Sequence, residues 1–205
     1  MNREQSTPRA CVLLALVLLS AGCVTQQGKG NRSPASNPSA PELDHQRLIL
    51  SEGYSILRND AEGFSRAKLL LYFKVESDDF ERVIAHVADF GTDLKAELAR
   101  VDRDYPGVRT DLDPLPEMEK RKRMTTALDK VRENAPLVGN SGREYERTVL
   151  ISISNGLNQE RHLAGEISKE EPDAGLKKFM LGVKARMDAL YAETEALLRK
   201  SYYRQ

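Results

Sequence analysis

The chain lacks an excess of charge of either sign, because its 31 basic residues balance its 31 acidic residues. This balance argues against a nucleic-acid partner, since proteins of that class carry a basic surface. The chain also lacks the Gly-x-Ser-x-Gly sequence of a serine hydrolase elbow. No stretch alternates apolar and polar residues over a useful length, so no strand is predicted.

Long apolar runs are also missing. The main uncharged run covers Cys11 to Leu19, whereas a membrane-spanning helix needs about 17 to 25 apolar residues. Arg3 and Arg9 precede the run, and polar residues follow it almost at once. A short apolar run after basic residues is typical of a secretory signal. We therefore predict that this segment directs export and does not remain as an anchor helix.

The residues that close this run are Leu19, Ser20, Ala21, Gly22 and Cys23. This segment resembles the lipobox of bacterial lipoproteins. The resemblance implies cleavage after Gly22, a covalent lipid on Cys23 and a membrane partner held through that lipid. The alternative is an ordinary signal peptide with a chance cysteine, because Ala21 and Gly22 would also suit ordinary cleavage.

The same resemblance bears on thiol chemistry and on location. Cys11 would leave with the signal and Cys23 would carry the lipid, so the exported chain would have no thiol for a disulfide, a zinc site or a nucleophile. Val24 stands where Gram-negative lipoproteins retained in the inner membrane usually have aspartate. We therefore expect a lipid-anchored envelope protein, with the periplasmic face of the outer membrane favoured in a Gram-negative cell. No cofactor besides the lipid is expected.

The sequence divides into three segments: a signal peptide over 1–22, a lipidated flexible linker over 23–41 and a helical domain over 42–205. The linker is rich in Gln, Gly, Ser, Asn and Pro and has no large apolar residue after Val24. Such a composition cannot bury enough surface to offset chain entropy. A flexible linker of this length has an r.m.s. reach of roughly 20 to 25 Å.

Apolar residues recur with a period of 3.6 through the helical domain, which predicts an all-α fold. Short connections favour an antiparallel, up-and-down bundle of four long helices plus one short charged helix. The first helix is predicted over 43–75, with Gly53 and Gly63 as points of bending or breakage. Ser77 is the predicted cap of the second helix, the short helix covers 117–135, and the fourth begins near Ser141. The predicted inward residues are Leu50, Leu57, Phe64 and Leu71; Val83, Val87, Phe90, Leu94, Leu98 and Val101; Met124, Leu128 and Val131; Leu150, Ile153, Leu157, Ala164 and Ile167; and Leu176, Met180, Val183, Met187, Leu190, Thr194 and Leu197.

Two glutamates, Glu146 and Glu160, lie within the apolar stripe of the predicted fourth helix. Buried carboxylates need partners. One interpretation is an internal network with Asp60 and Lys68 of the first helix and Arg121 of the short helix. The other is a ferritin-like carboxylate bundle that binds a metal ion through Glu146 or Glu160 with Asp60 or a histidine. The two glutamates are about 21 Å apart along a helix, which excludes a joint acid/base role.

The histidines give little support to a ferritin-like site, which needs Glu-x-x-His pairs on two helices. Only His45 lies three residues after a glutamate, Glu42, and that pair falls at the start of the first helix. His86 and His162 have no such partner. Metal binding therefore stands as the alternative interpretation.

The only run of basic residues is Lys120, Arg121, Lys122 and Arg123. Such runs usually form a solvated helix face. A contact with anionic lipid headgroups or cell-wall polymer is the competing interpretation, because a tether would hold the domain near both.

These observations favour a non-enzymatic protein over an enzyme. The leading interpretation is a membrane-anchored cell-envelope lipoprotein that acts as a binding, scaffold or assembly module for a protein or peptidoglycan partner. A ferritin-like bundle that binds a metal ion is the alternative.

Overall fold

The computed structural model describes residues 40–72, 77–134 and 142–203, and these residues contain helices and no strand. The predicted signal, Cys23 and most of the linker lie outside the described residues. The helices are α1 (Ala40–Ser65), a 3-10 helix (Ala67–Tyr72), α2 (Asp78–Asp104), α3 (Glu117–Asn134), α4 (Gly142–Glu170), α5 (Ala174–Leu197) and a terminal π turn (Leu198–Tyr202). None of these described helices is long and apolar enough to cross a membrane.

The predicted all-α bundle is confirmed, and contacts between its long helices run in antiparallel order. Arg186 in α5 contacts Glu97 late in α2, and Lys200 just beyond α5 contacts Asp79 at the start of α2. Residue numbers therefore rise along one helix as they fall along its neighbour. In the same way, Arg47 near the start of α1 contacts Glu171, the residue directly after α4.

The first predicted helix is shorter than expected, because α1 ends at Ser65 and the chain continues as a 3-10 helix. Gly53 does not break α1. The change follows Gly63 and occurs where Gly91 of α2 lies against Phe64 and Ser65. A Cβ placed on Gly91 would lie 2.7 Å from the carbonyl carbon of Phe64.

Side-chain caps define two helix starts. Ser77 accepts a hydrogen bond from the backbone N–H of Phe80 at 3.2 Å, which confirms the predicted cap of α2. Asp173 accepts one from the N–H of Leu176 at 2.8 Å and caps α5 directly after Pro172. Each of these bonds satisfies one of the four backbone N–H groups that have no partner within the helix at its start.

Within the part of the chain that the structure describes, the core forms two apolar clusters toward opposite ends of the bundle. The predicted inward residues of α2 and α4 are all buried, whereas Phe64, Leu71 and Leu190 are only partly buried. Phe64 and Leu190 pack against both clusters and link them. The side chains of Met124, Leu128 and Val131 lie outside the described residues.

Candidate functional site

The α1/α4 seam is the line along which α1 packs on α4. Glycines keep the two helices close at two points along it. A Cβ on Gly53 would lie 3.0 Å from Ile167, and one on Gly156 would lie 3.4 Å from the ring of Phe64. Between these points the seam contains two acidic side chains.

The two acids are Asp60 of α1 and Glu160 of α4, each only 5% exposed. The antiparallel register, in which Gly53 meets Ile167 and Gly156 meets Phe64, places Asp60 opposite Glu160 across the seam. Burial raises the pKa of both carboxyls, and the neighbouring charge of Asp60 raises the pKa of Glu160 further. Glu160 Oε2 has no hydrogen-bond partner. We call these two residues the Asp60–Glu160 pair.

The nearby cation is Arg123 of α3, whose positive charge lowers the pKa of both members of the pair without cancelling the effect of burial. Arg123 Nε also lies 3.1 Å from Glu119. The sequence had suggested Lys68 and Arg121 as internal partners, and the structure corrects this. Lys68 contacts Asp89 and Arg121 contacts Glu117, in both cases at the exposed surface.

Arg123 was missed as a partner because helical spacing cannot tell which side of a short charged helix faces the bundle. All four residues of the run looked alike in sequence. The approach of Arg123 to the pair depends on where the chain segment 105–116 places α3. That placement is a property of the tertiary fold.

Glu146, the other predicted buried glutamate, belongs to a different network. It accepts a hydrogen bond from the backbone N–H of Ser77 at 3.0 Å and another from the hydroxyl of Tyr202. Burial, and then the bond to Glu146, raise the pKa of Tyr202. Glu146 therefore fastens the start of α2 and the terminal turn to α4, at a distance from the Asp60–Glu160 pair.

The structure thus brings Asp60 and Glu160 together and leaves Glu146 apart. No group of three side chains of the kind that bind metal ions occurs among the described residues. His86 contacts Glu193 at 3.1 Å, and no contact joins it to the pair. Metal binding through Glu146, Glu160 or Asp60 stays a prediction.

The basic run of α3 is partly neutralised by acidic neighbours. Lys120 contacts Asp113, Arg121 contacts Glu117, and both Lys122 and Arg123 contact Glu119. Exposed ion pairs of this type contribute little to stability, but they lower the positive charge that the run presents. Contact of Lys120–Arg123 with an anionic surface stays a prediction.

An apolar groove of about 470 Å³ opens along the α1/α4 seam at the end where the linker joins α1. We call it the α1/α4 groove. Its lining residues are His45, Gln46, Ile49, Leu50, Gly53, Leu163, Glu166, Ile167 and Glu170. Ile49 is 53% exposed. Sequence reasoning missed this feature, because Ile49 lies beside the predicted inward stripe of α1.

A buried glutamate holds the two helices together beside the groove. Glu171 accepts hydrogen bonds from the hydroxyl of Tyr54 at 3.0 Å and from the backbone N–H of Asp173 at 3.1 Å. Arg47 contacts the same carboxylate at 3.2 Å. Burial, and then the charge of Glu171, raise the pKa of Tyr54. This network fixes the geometry of the groove at its linker end.

Comparison with known proteins finds no matching family model, no similar curated protein and no matching solved structure.

Proposed function

We propose that the protein is a membrane-anchored cell-envelope lipoprotein whose helical bundle acts as a non-enzymatic binding, scaffold or assembly module. The lipobox-like segment ending at Cys23 supports the anchor. The α1/α4 groove supports the binding role and is the observation that carries it. It lies at the end of the bundle where the linker enters, so an anchored domain would keep it close to other envelope proteins.

The chemistry of the groove favours a protein partner with an apolar helix face. Its floor is built from aliphatic side chains of two neighbouring helices. Apolar grooves between helices accept amphipathic helices through side chains spaced three or four residues apart. The exposed Glu170 in the groove lining favours a basic residue flanking that apolar face, whereas Glu166 is already paired with Lys169.

The anchor is tested by mass spectrometry of the full chain expressed in a bacterium with lipoprotein processing. We expect a mature protein that begins at Cys23 and carries covalent lipid, and a Cys23→Ser variant that lacks both. A mature protein that has a free thiol at Cys23, or that retains segment 1–22, would contradict the proposed lipid anchor.

The groove is tested by site-specific photo-crosslinking in native membranes. A photoreactive residue at position 49 should give a discrete crosslinked protein, whereas the same residue at Leu181 should not. Leu181 is a matched control, because it is a helical aliphatic residue that is 50% exposed and lies outside the groove. A second variant, Leu163→Glu in the groove lining, should abolish the crosslink from position 49. Equal products from positions 49 and 181 would contradict the binding role of the groove.

A further inference from the structure

The Asp60–Glu160 pair places two buried carboxyls opposite each other across the seam between α1 and α4. Two ionised carboxylates offer only acceptors, so a hydrogen bond between them exists only when one of the two groups is protonated. Both residues are buried, and solvent therefore screens their repulsion poorly when both are ionised. The contact between the two helices is attractive with the proton and repulsive without it.

The groups around the pair offset only part of the repulsion between two ionised carboxylates. Arg123 of α3 is the charged side chain outside the pair that acts on both carboxyls, and it is shared with Glu119. Asn59 donates a long hydrogen bond of 3.4 Å to Asp60. No charged side chain of α2 or α5 among the described residues shifts the pKa of either carboxyl. One positive charge near the pair matches one ionised carboxylate and leaves a second one unmatched.

We propose that the Asp60–Glu160 pair is a proton-controlled closure of the α1/α4 seam, in which one shared proton holds the two helices together and its loss forces them apart. Glu160 Oε2 is buried and has no hydrogen-bond partner. A negative charge on the Glu160 carboxylate would therefore be poorly stabilised by its surroundings. The closure does not depend on lipidation or on a partner.

The position of the pair connects this closure to the groove. Leu163, in the groove lining, lies about 4.5 Å from Glu160 along the axis of α4, and Gly53 lies about 10 Å from Asp60 along α1. The pair therefore stands at the inner end of the α1/α4 groove. Separation of α1 from α4 at the pair would extend the groove toward the middle of the bundle.

The dependence of stability on pH has a definite sign. The pKa of each carboxyl is raised in the folded protein, so the folded state holds more protons than the unfolded state between the ordinary and the raised pKa. Stability from the pair is then fully present at acidic pH and is lost as pH rises through the raised pKa. This is opposite to the behaviour of a carboxylate in a salt bridge.

The experiment compares the full wild-type chain with Glu160→Gln, Asp60→Asn and Glu146→Gln between about pH 5 and pH 9, a range in which ordinary carboxyls are ionised. Infrared difference spectra report any protonated carboxyl, and urea unfolding followed by circular dichroism reports stability. Glu146→Gln is the matched control. It replaces a buried glutamate of the same helix that has satisfied partners.

We expect a protonated-carboxyl band in wild type and in Glu146→Gln that is absent from Glu160→Gln. The urea midpoint of wild type should fall as pH rises, relative to Glu160→Gln, whose amide donates to Asp60 at every pH. If Glu160→Gln does not fold, Asp60→Asn provides the same comparison. A wild type without the band across this range, or a midpoint that changes with pH in parallel with both amide variants, would overturn the proposal.

Discussion

The close crossing of α1 and α2 can be tested by Gly91→Ala. A Cβ at this position would lie 2.7 Å from both the carbonyl carbon and the Cβ of Phe64. Real Cβ atoms do not approach other atoms this closely, so α2 and the end of α1 must move apart. Because the obstructing atoms include backbone, rotation of a side chain cannot relieve the contact.

The size of the effect follows from two opposing contributions. Alanine is favoured over glycine in a helix interior by about 1 kcal/mol. Overpacking of a close contact costs about 1 to 3 kcal/mol, and more when the backbone must shift. Because backbone atoms obstruct the added Cβ, we expect a cost of about 2 to 3 kcal/mol, at the upper end of this range. Gly91→Ala should then lower the free energy of unfolding by about 1 to 2 kcal/mol relative to wild type, in spite of its gain in helix propensity.

The control is Gly182→Ala in α5, where nothing lies within 4 Å of the added Cβ. This variant keeps the gain in helix propensity and should be more stable than wild type by about 0.5 to 1 kcal/mol. Urea unfolding of both variants gives the difference. If Gly91→Ala is as stable as Gly182→Ala, the helices do not cross as closely as described and the reasoning is refuted.

Three further predictions concern hydrogen bonds and pH. Tyr202→Phe removes a donor from the buried Glu146 and should lower the free energy of unfolding by about 1.5 to 3 kcal/mol; an unchanged urea midpoint would contradict this. Asp173→Ala removes the cap of α5 and should cost about 1 kcal/mol, whereas Asp173→Asn, which retains an acceptor, should cost much less in the same assay. Glu160→Gln should unfold at higher urea than wild type, and the difference should grow with pH; a difference that shrinks with pH would reverse the sign derived for the pair.

Much of the fold could be predicted from local sequence. Apolar spacing gave the helical class, and the inward stripes of α2 and α4 proved to be buried. Ser77 marked the start of α2 because a side-chain cap acts within one turn. Gly53 and Gly63 were both candidates for a break in the first helix, and local sequence could not decide between them; α1 ends two residues after Gly63, where Gly91 of α2 lies against Phe64.

The candidate sites depended far more on tertiary structure. Glu146 and Glu160 occupy equivalent places on one stripe of α4, so the sequence determined that both would be buried and could not distinguish them. The fold places Glu146 against Ser77 and Tyr202 and places Glu160 against Asp60. Helical periodicity fixes the face on which a side chain lies, whereas its partners depend on which helix packs there and at what height. That difference gives one glutamate satisfied hydrogen bonds and the other a raised pKa.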